Sequence, residues 1–129
     1  MASRLEREGM ASILIVDDDA PIRAVLRNIL EEDGHQIREA TNGQIGLRLY
    51  REAPADLVIT DILMPERDGM EVTLALTQEF LDARVIAMTG ATGDRNFLNI
   101  AKLFGARRVI QKPFTPDVIR RVVRFTLDH

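Results

Sequence analysis

Five times along this chain of 129 residues a short apolar run gives way to a stretch whose hydrophobic residues recur every three or four positions, and few folds accept such a repeat. The runs at 12–17, 35–40, 56–61, 84–89 and 107–111 read as strands, since aliphatic residues dominate most of them and turn-forming residues bound them. Helices are expected at 20–32, 44–53, 70–81, 94–104 and 116–127. A strand joined to its successor through a helix runs parallel to it, so the repeat predicts an α/β fold, a five-stranded parallel sheet with helices on both faces.

Local signals support these boundaries. Asp19 precedes Ala20-Pro21 as an N-cap, Ile22, Val25, Leu26, Ile29 and Leu30 share one face of the first helix, and Gly34 ends it. Thr115-Pro116 opens the last helix in the same way, Asn42-Gly43 turns into the second, and Val72, Leu76 and Phe80 stripe the third. Phe97, Ile100, Ala101 and Phe104 stripe the fourth, which Gly105 caps. Gly46 lies inside the second helix and is expected to cost it about 1 kcal/mol and loosen it.

Strand polarity suggests the order. Runs one, three and four are nearly continuous Ile, Leu and Val, the mark of strands buried on both faces, whereas His35, Arg38, Glu39, Arg107, Arg108 and Gln111 interrupt runs two and five. Placing the polar pair at the edges predicts the doubly wound order 2-1-3-4-5, the flavodoxin-like arrangement.

With 46% hydrophobic residues the chain suits one domain that buries roughly two-thirds of its unfolded surface. That domain is expected to span 12–129, and residues 1–11, polar and without a hydrophobic period, read as a disordered extension. No secretory signal is recognisable, no apolar run approaches the ~20 residues of a membrane span, and there is no cysteine. A cytoplasmic protein away from the membrane is expected. Gly-rich phosphate loops are absent, His35 and His129 lack metal-ligand spacing, and a lone Tyr50 without Trp offers no platform for single-stranded nucleic acid. Charge is uneven: residues 1–83 hold 8 basic and 17 acidic groups, residues 84–129 hold 9 and 3. The basic half, with Arg107, Arg108, Arg120, Arg121 and Arg124, is either a solvated face or a surface for an acidic partner or nucleic acid.

In an open parallel sheet, ligands bind beyond the carboxyl ends of the strands. Asp17 with Asp18, Asp61, Thr89 and Lys112 stand at the ends of four different runs, so the topology brings three carboxylates, a hydroxyl and an ammonium to one rim. Neighbouring carboxylates repel unless a cation intervenes, and hard oxygen donors suit Mg²⁺. Lys112 is one of two lysines against fifteen arginines, and its compact ammonium can reach a phosphoryl oxygen. Each residue alone has an ordinary explanation, a cap or turn for an Asp and a strand position for Thr89. The five together point to a metal and a phosphoryl group.

The segments ILIVDDD, DLVITDILMPERDGME, AMTG and GARRVIQKPF together resemble the receiver domain of two-component response regulators, over about residues 13–127. By that resemblance Asp61 accepts a phosphoryl group from a sensor histidine kinase or a histidine phosphotransfer protein. The resemblance also implies Mg²⁺ held by Asp17, Asp18, Asp61 and the backbone carbonyl of Leu63, with Lys112 on the phosphoryl oxygens and Thr89 moving to bond one of them. It implies a signalling domain and not an enzyme, with self-catalysed phosphotransfer and slow autodephosphorylation. Phosphorylation would switch a face made of the fourth helix, fifth strand and last helix, which binds a downstream protein, an effector domain or a second copy. No direct nucleic-acid contact is expected of this domain. Val109 stands where the family commonly has Tyr or Phe, so the signal is expected to travel through the loop at 89–93. Two other readings compete. A degenerate receiver acting as a phosphorylation-independent module is opposed by the complete set of five residues, and a Mg²⁺-dependent phosphohydrolase is opposed by Leu63, where such enzymes carry a second acid.

Overall fold

The computed structural model describes residues 10–62, 69–90, 102 and 105–129. Within them lie β1 (Ser12–Val16), α1 (Ala20–Glu32), β2 (Gln36–Ala40), α2 (Gly43–Glu52) and β3 (Leu57–Asp61). They continue with α3 (Gly69–Glu79), β4 (Val85–Thr89), β5 (Arg108–Gln111) and α4 (Pro116–Asp128). The helix expected at 94–104 lies outside the described residues except for Lys102, which is helical. All strand pairs are parallel and their order is β2-β1-β3-β4-β5, so the polar strands do sit at the edges.

Side chains alternate across the sheet because a strand has a period of two. Ile13, Ile15, Ile59, Ile86 and Met88 face a layer formed by Leu26, Ile29 and Leu30 of α1 and Ile119, Val123 and Leu127 of α4. Leu14, Val16, Val58 and Val85 face the opposite layer, with Leu47 and Tyr50 of α2 and Val72 and Leu76 of α3. Fully burying one such side chain stabilises the fold by about 1.5–3 kcal/mol, so both faces are covered for the same reason. The helix starts are capped as expected: Asp19 accepts from the Ile22 amide at 3.3 Å and Thr115 from the Val118 amide at 3.2 Å. Gly34 ends α1 with φ of 90°, a backbone state that side chains disfavour. Among the described residues no helix is long and apolar enough to cross a membrane.

Several expectations need correction. Strands β2 to β5 each begin one residue later than their apolar runs, and β1 ends at Val16. Two of the displaced residues bond through their side chains: the Asp56 carboxylate accepts from the Ser12 amide at 2.8 Å, and His35 Nδ1 accepts from the Ala11 amide at 3.0 Å. Ala11 is fully buried, so the ordered chain starts before residue 12, while residues 1–9 lie outside the described residues. The third helix stops at Glu79, followed by a turn in which the Ala83 amide donates to the Phe80 carbonyl and Leu81 is 90% exposed.

Gly46 is not a loose point in α2. A Cβ there would come within 2.8 Å of Val16 Cγ2, so the glycine lets the helix lie directly on β1. The polar residues of β2 are also engaged. Arg38 donates to the carbonyls of Leu49 and Ala53 at 3.2 and 2.6 Å, satisfying groups at the C-terminal end of α2, and Glu39 pairs with two arginines of α1. Arg120 of the expected basic face bonds Glu32 of α1 at 2.9 Å and so ties α4 to α1.

Candidate functional site

The apolar run of β1 ends as the chain leaves the sheet, and three consecutive acids follow with different surroundings. Asp17 is fully buried, Asp18 is exposed, and Asp19 caps α1. The Asp19 amide donates to Asp17 Oδ1 at 2.9 Å, folding the segment back on itself. Asp61 closes β3 and is 9% exposed, with the following amide of Ile62 bonded to the Met88 carbonyl of β4 at 2.8 Å. Carboxylate oxygens of Asp17, Asp18 and Asp61 all lie within 4.8 Å of one another.

Lys112 reaches this cluster from the end of β5. Its amide donates to the Thr89 carbonyl at 2.7 Å, and its Nζ lies 3.2 Å from Asp17 Oδ2 and 3.1 Å from Asp61 Oδ2. Strand register accounts for the meeting: β1 and β4 both flank β3, and β5 follows β4 with Thr89 paired to Gln111. The Thr89 side chain is 1% exposed, and its hydroxyl has no hydrogen-bond partner among the described residues. Leaving such a group unpaired costs about 1–3 kcal/mol. Leu63 lies outside the described residues. Val109 is half-buried beside Ala87 of β4.

Electrostatics follow from burial. Desolvation pushes the Asp17 carboxyl above the ordinary range, opposed by the Asp19 amide and Lys112 and reinforced by the charge of Asp61. Burial alone would discharge the Lys112 ammonium, but Asp17 and Asp61 more than offset it and raise its pKa. Hard carboxylate oxygens clustered at this spacing, one of them exposed, fit a divalent cation such as Mg²⁺, and a neighbouring ammonium fits an oxyanion. The structure therefore brings together Asp17, Asp18, Asp61 and Lys112, with Thr89 joined to them through the backbone. Residue-by-residue reading missed Arg23 and Glu39. Arg23 Nη1 donates to the Asp17 carbonyl at 2.6 Å, and its Nε donates to Glu39 at 2.9 Å. Nothing in the sequence marks Arg23 among many arginines.

A flavodoxin-like sheet with its polar chemistry gathered at the carboxyl rim defines the class. Residues 13–124 match the response regulator receiver domain, and the chain belongs to that family of two-component signalling domains. It is 38% identical over 117 residues to the chemotaxis protein CheY of Bacillus subtilis, covering 90% of this chain and 97% of that one. It is 36% identical over 112 residues to sporulation initiation phosphotransferase F of the same organism, covering 87% and 90% of the two chains. The crystal structure of NtrX from Brucella abortus superposes with a TM-score of 0.87 at 28% identity, covering 92% of this chain and 28% of that one. The chain thus spans little more than a quarter of that longer protein.

Proposed function

We propose that this domain is a phosphoacceptor switch, in which Asp61 takes a phosphoryl group from the phosphohistidine of a sensor histidine kinase or a histidine phosphotransfer protein. The observation that carries the reading is three carboxylates within 4.8 Å of one another, two of them touched by the Lys112 ammonium. Asp17, Asp18, Asp61 and the Leu63 carbonyl would hold Mg²⁺, which when bound supplies positive charge against the transferring phosphoryl group. An Asp61 oxygen forms the bond to phosphorus as the donor's N–P bond breaks, and the electron pair stays on the imidazole nitrogen. The product is an acyl phosphate, which splits a transfer into two easier steps.

The remaining residues act by position and charge. Lys112, now on Asp17 and Asp61, turns to the new phosphoryl oxygens, and the buried Thr89 hydroxyl gains an acceptor in one of them. The domain signals by this change and does not turn over a substrate, apart from slow loss of its own phosphoryl group. Its output is binding of a downstream protein, an effector domain or a second copy through the face that includes β5 and α4, and its setting is the cytoplasm. Exposed Arg107, Arg108, Arg121 and Arg124 suit an acidic partner there. With Val109 beside Ala87 in place of a ring, the signal runs through the backbone following Thr89. Incubation with acetyl phosphate and Mg²⁺, followed by intact-mass spectrometry, tests the reading. One phosphoryl group is expected on the wild type and none on Asp61→Asn, since an amide is no anionic nucleophile. A stable adduct on Asp61→Asn overturns the assignment.

A further inference from the structure

Among the described residues, Asp18 is the carboxylate of the cluster that no side chain or amide holds. Asp17 accepts from the Asp19 amide and from Lys112, and Asp61 accepts from Lys112. The direction of Asp18 therefore rests on its backbone, and the peptide joining it to Asp17 carries one strong external bond. Arg23 Nη1 donates to the Asp17 carbonyl oxygen at 2.6 Å. Through Nε the same guanidinium donates to Glu39 Oε1 at 2.9 Å, and Glu39 Oε2 accepts from Arg27 Nε at 2.6 Å.

Each part of this bracket is anchored. Arg27 also donates to the Ile37 carbonyl at 3.4 Å, so Glu39 is gripped from α1 on one side and built into β2 on the other. The arginine bonds hold the Glu39 carboxyl below its usual range, Arg27 contributing most. Asp17 is fixed from two directions: its amide donates to Ala40 of β2 at 3.1 Å, and its carbonyl accepts from α1. The Arg23 side chain is only 14% exposed, so water competes weakly for its donors.

We propose that Arg23, locked by Glu39, is a positioning residue for the acidic site: it sets the Asp17–Asp18 peptide and so aims the Asp18 carboxylate at a divalent cation. The inference rests on the reading of the cluster as a Mg²⁺ site. Arg23 bonds the Asp17 carbonyl and Glu39, not a carboxylate of the cluster. Its planar fork serves two acceptors at a fixed angle, which the point charge of a lysine cannot do. Groups that orient metal ligands typically govern about 10–100-fold in metal affinity, whereas an ordinary surface ion pair governs none.

Titration of Mg²⁺ alone into the unphosphorylated full chain, by calorimetry with the melting temperature recorded for every variant, tests this. Arg23→Met and Arg23→Lys should each bind Mg²⁺ about 10-fold or more weakly. Arg27→Met removes a Glu39 partner but leaves the bond to the Asp17 carbonyl, and should weaken Mg²⁺ binding clearly less than Arg23→Met does. Asp18→Asn reports on the site itself. If the wild type and Asp18→Asn bind Mg²⁺ alike, the reading of the cluster fails and the inference with it. If Asp18→Asn loses Mg²⁺ while folded Arg23→Met, or Arg23→Lys should the former not fold, keeps wild-type affinity, the bracket has no positioning role and only the inference falls. Equal weakening in Arg23→Met and Arg27→Met, in step with melting temperature, overturns it too, because that pattern marks a purely structural contact.

Discussion

Replacing Lys112 with methionine keeps an unbranched side chain, one atom shorter, and removes the ammonium from between Asp17 and Asp61. At 3.2 and 3.1 Å and an effective dielectric of about 20, each contact is worth about 5 kcal/mol of gross Coulomb attraction. The net loss is smaller, because burying the ammonium opposed it. Stripping one partner from a buried pair typically costs about 3–5 kcal/mol. Protonation sets a ceiling. The stranded Asp17 can escape by binding a proton, and from its ordinary value of 3.8 that costs about 1.4 kcal/mol per pH unit, hence about 4 kcal/mol at about pH 7. Burial has already raised the Asp17 pKa, which lowers the ceiling further. At about 4 °C per kcal/mol for a chain of this length, the variant should melt up to roughly 15 °C lower.

The sign with pH follows. A folded-state carboxyl raised above its unfolded value binds more protons folded than unfolded, so its contribution is present at low pH and lost as pH rises. The gap between variant and wild type should therefore narrow to below about 2 kcal/mol near pH 5. Mg²⁺ held by the same carboxylates would compete with Lys112, so the variant should bind it more tightly and recover much of the loss. Urea unfolding at both pH values, with and without saturating Mg²⁺, measures all three effects. A variant as stable as the wild type near pH 7, or one with weakened Mg²⁺ affinity, would refute the bridging role.

Three further outcomes are expected. Asp18→Asn should lose most of the Mg²⁺-dependent rise in melting temperature, which scales as RT ln(1 + [L]/Kd), and an unchanged shift would count against the cluster as the site. His35 has its pKa lowered by burial, with Arg124 adding and Asp33 and Asp56 opposing. Its neutral Nδ1 accepts from Ala11, so its contribution is complete above the unfolded value of about 6.5 and is lost as pH falls below it. Denaturation midpoints of the wild type and His35→Gln should converge on acidification, and parallel curves would exclude this. Gly46→Ala should destabilise by about 1–3 kcal/mol through crowding of Val16, despite better helix propensity, and Val16→Ala in the same chain should relieve it; additive losses in urea melts would contradict that account.

The central strands are legible because β1, β3 and β4 are buried on both faces and so read as unbroken aliphatic runs. The edge positions of β2 and β5 are legible for the complementary reason. What β2 does with its polar residues is not, since Arg38 reaches the end of α2 and Glu39 meets Arg23 and Arg27, partners that only the folded chain brings near. The starts of β2 and β3 come a residue late where the His35 and Asp56 side chains take the amides of Ala11 and Ser12. At the site, strand-end position and the scarcity of lysine single out Asp17, Asp18, Asp61 and Lys112. Arg23 carries no such mark, and Gly46 reads as a weakness until the contact with Val16 is seen.

The strand order also divides the rim between the two halves of the chain. β1 and β3 are neighbours, so Asp17, Asp18 and Asp61 all come from the first half. Lys112 comes from the end of β5, at the far edge of the sheet and in the second half. Because β1 and β3 also pack against Ile119, Val123 and Leu127 of α4, the same fold that covers the sheet brings the ammonium to the carboxylates, and the complete rim exists only where both halves are packed together.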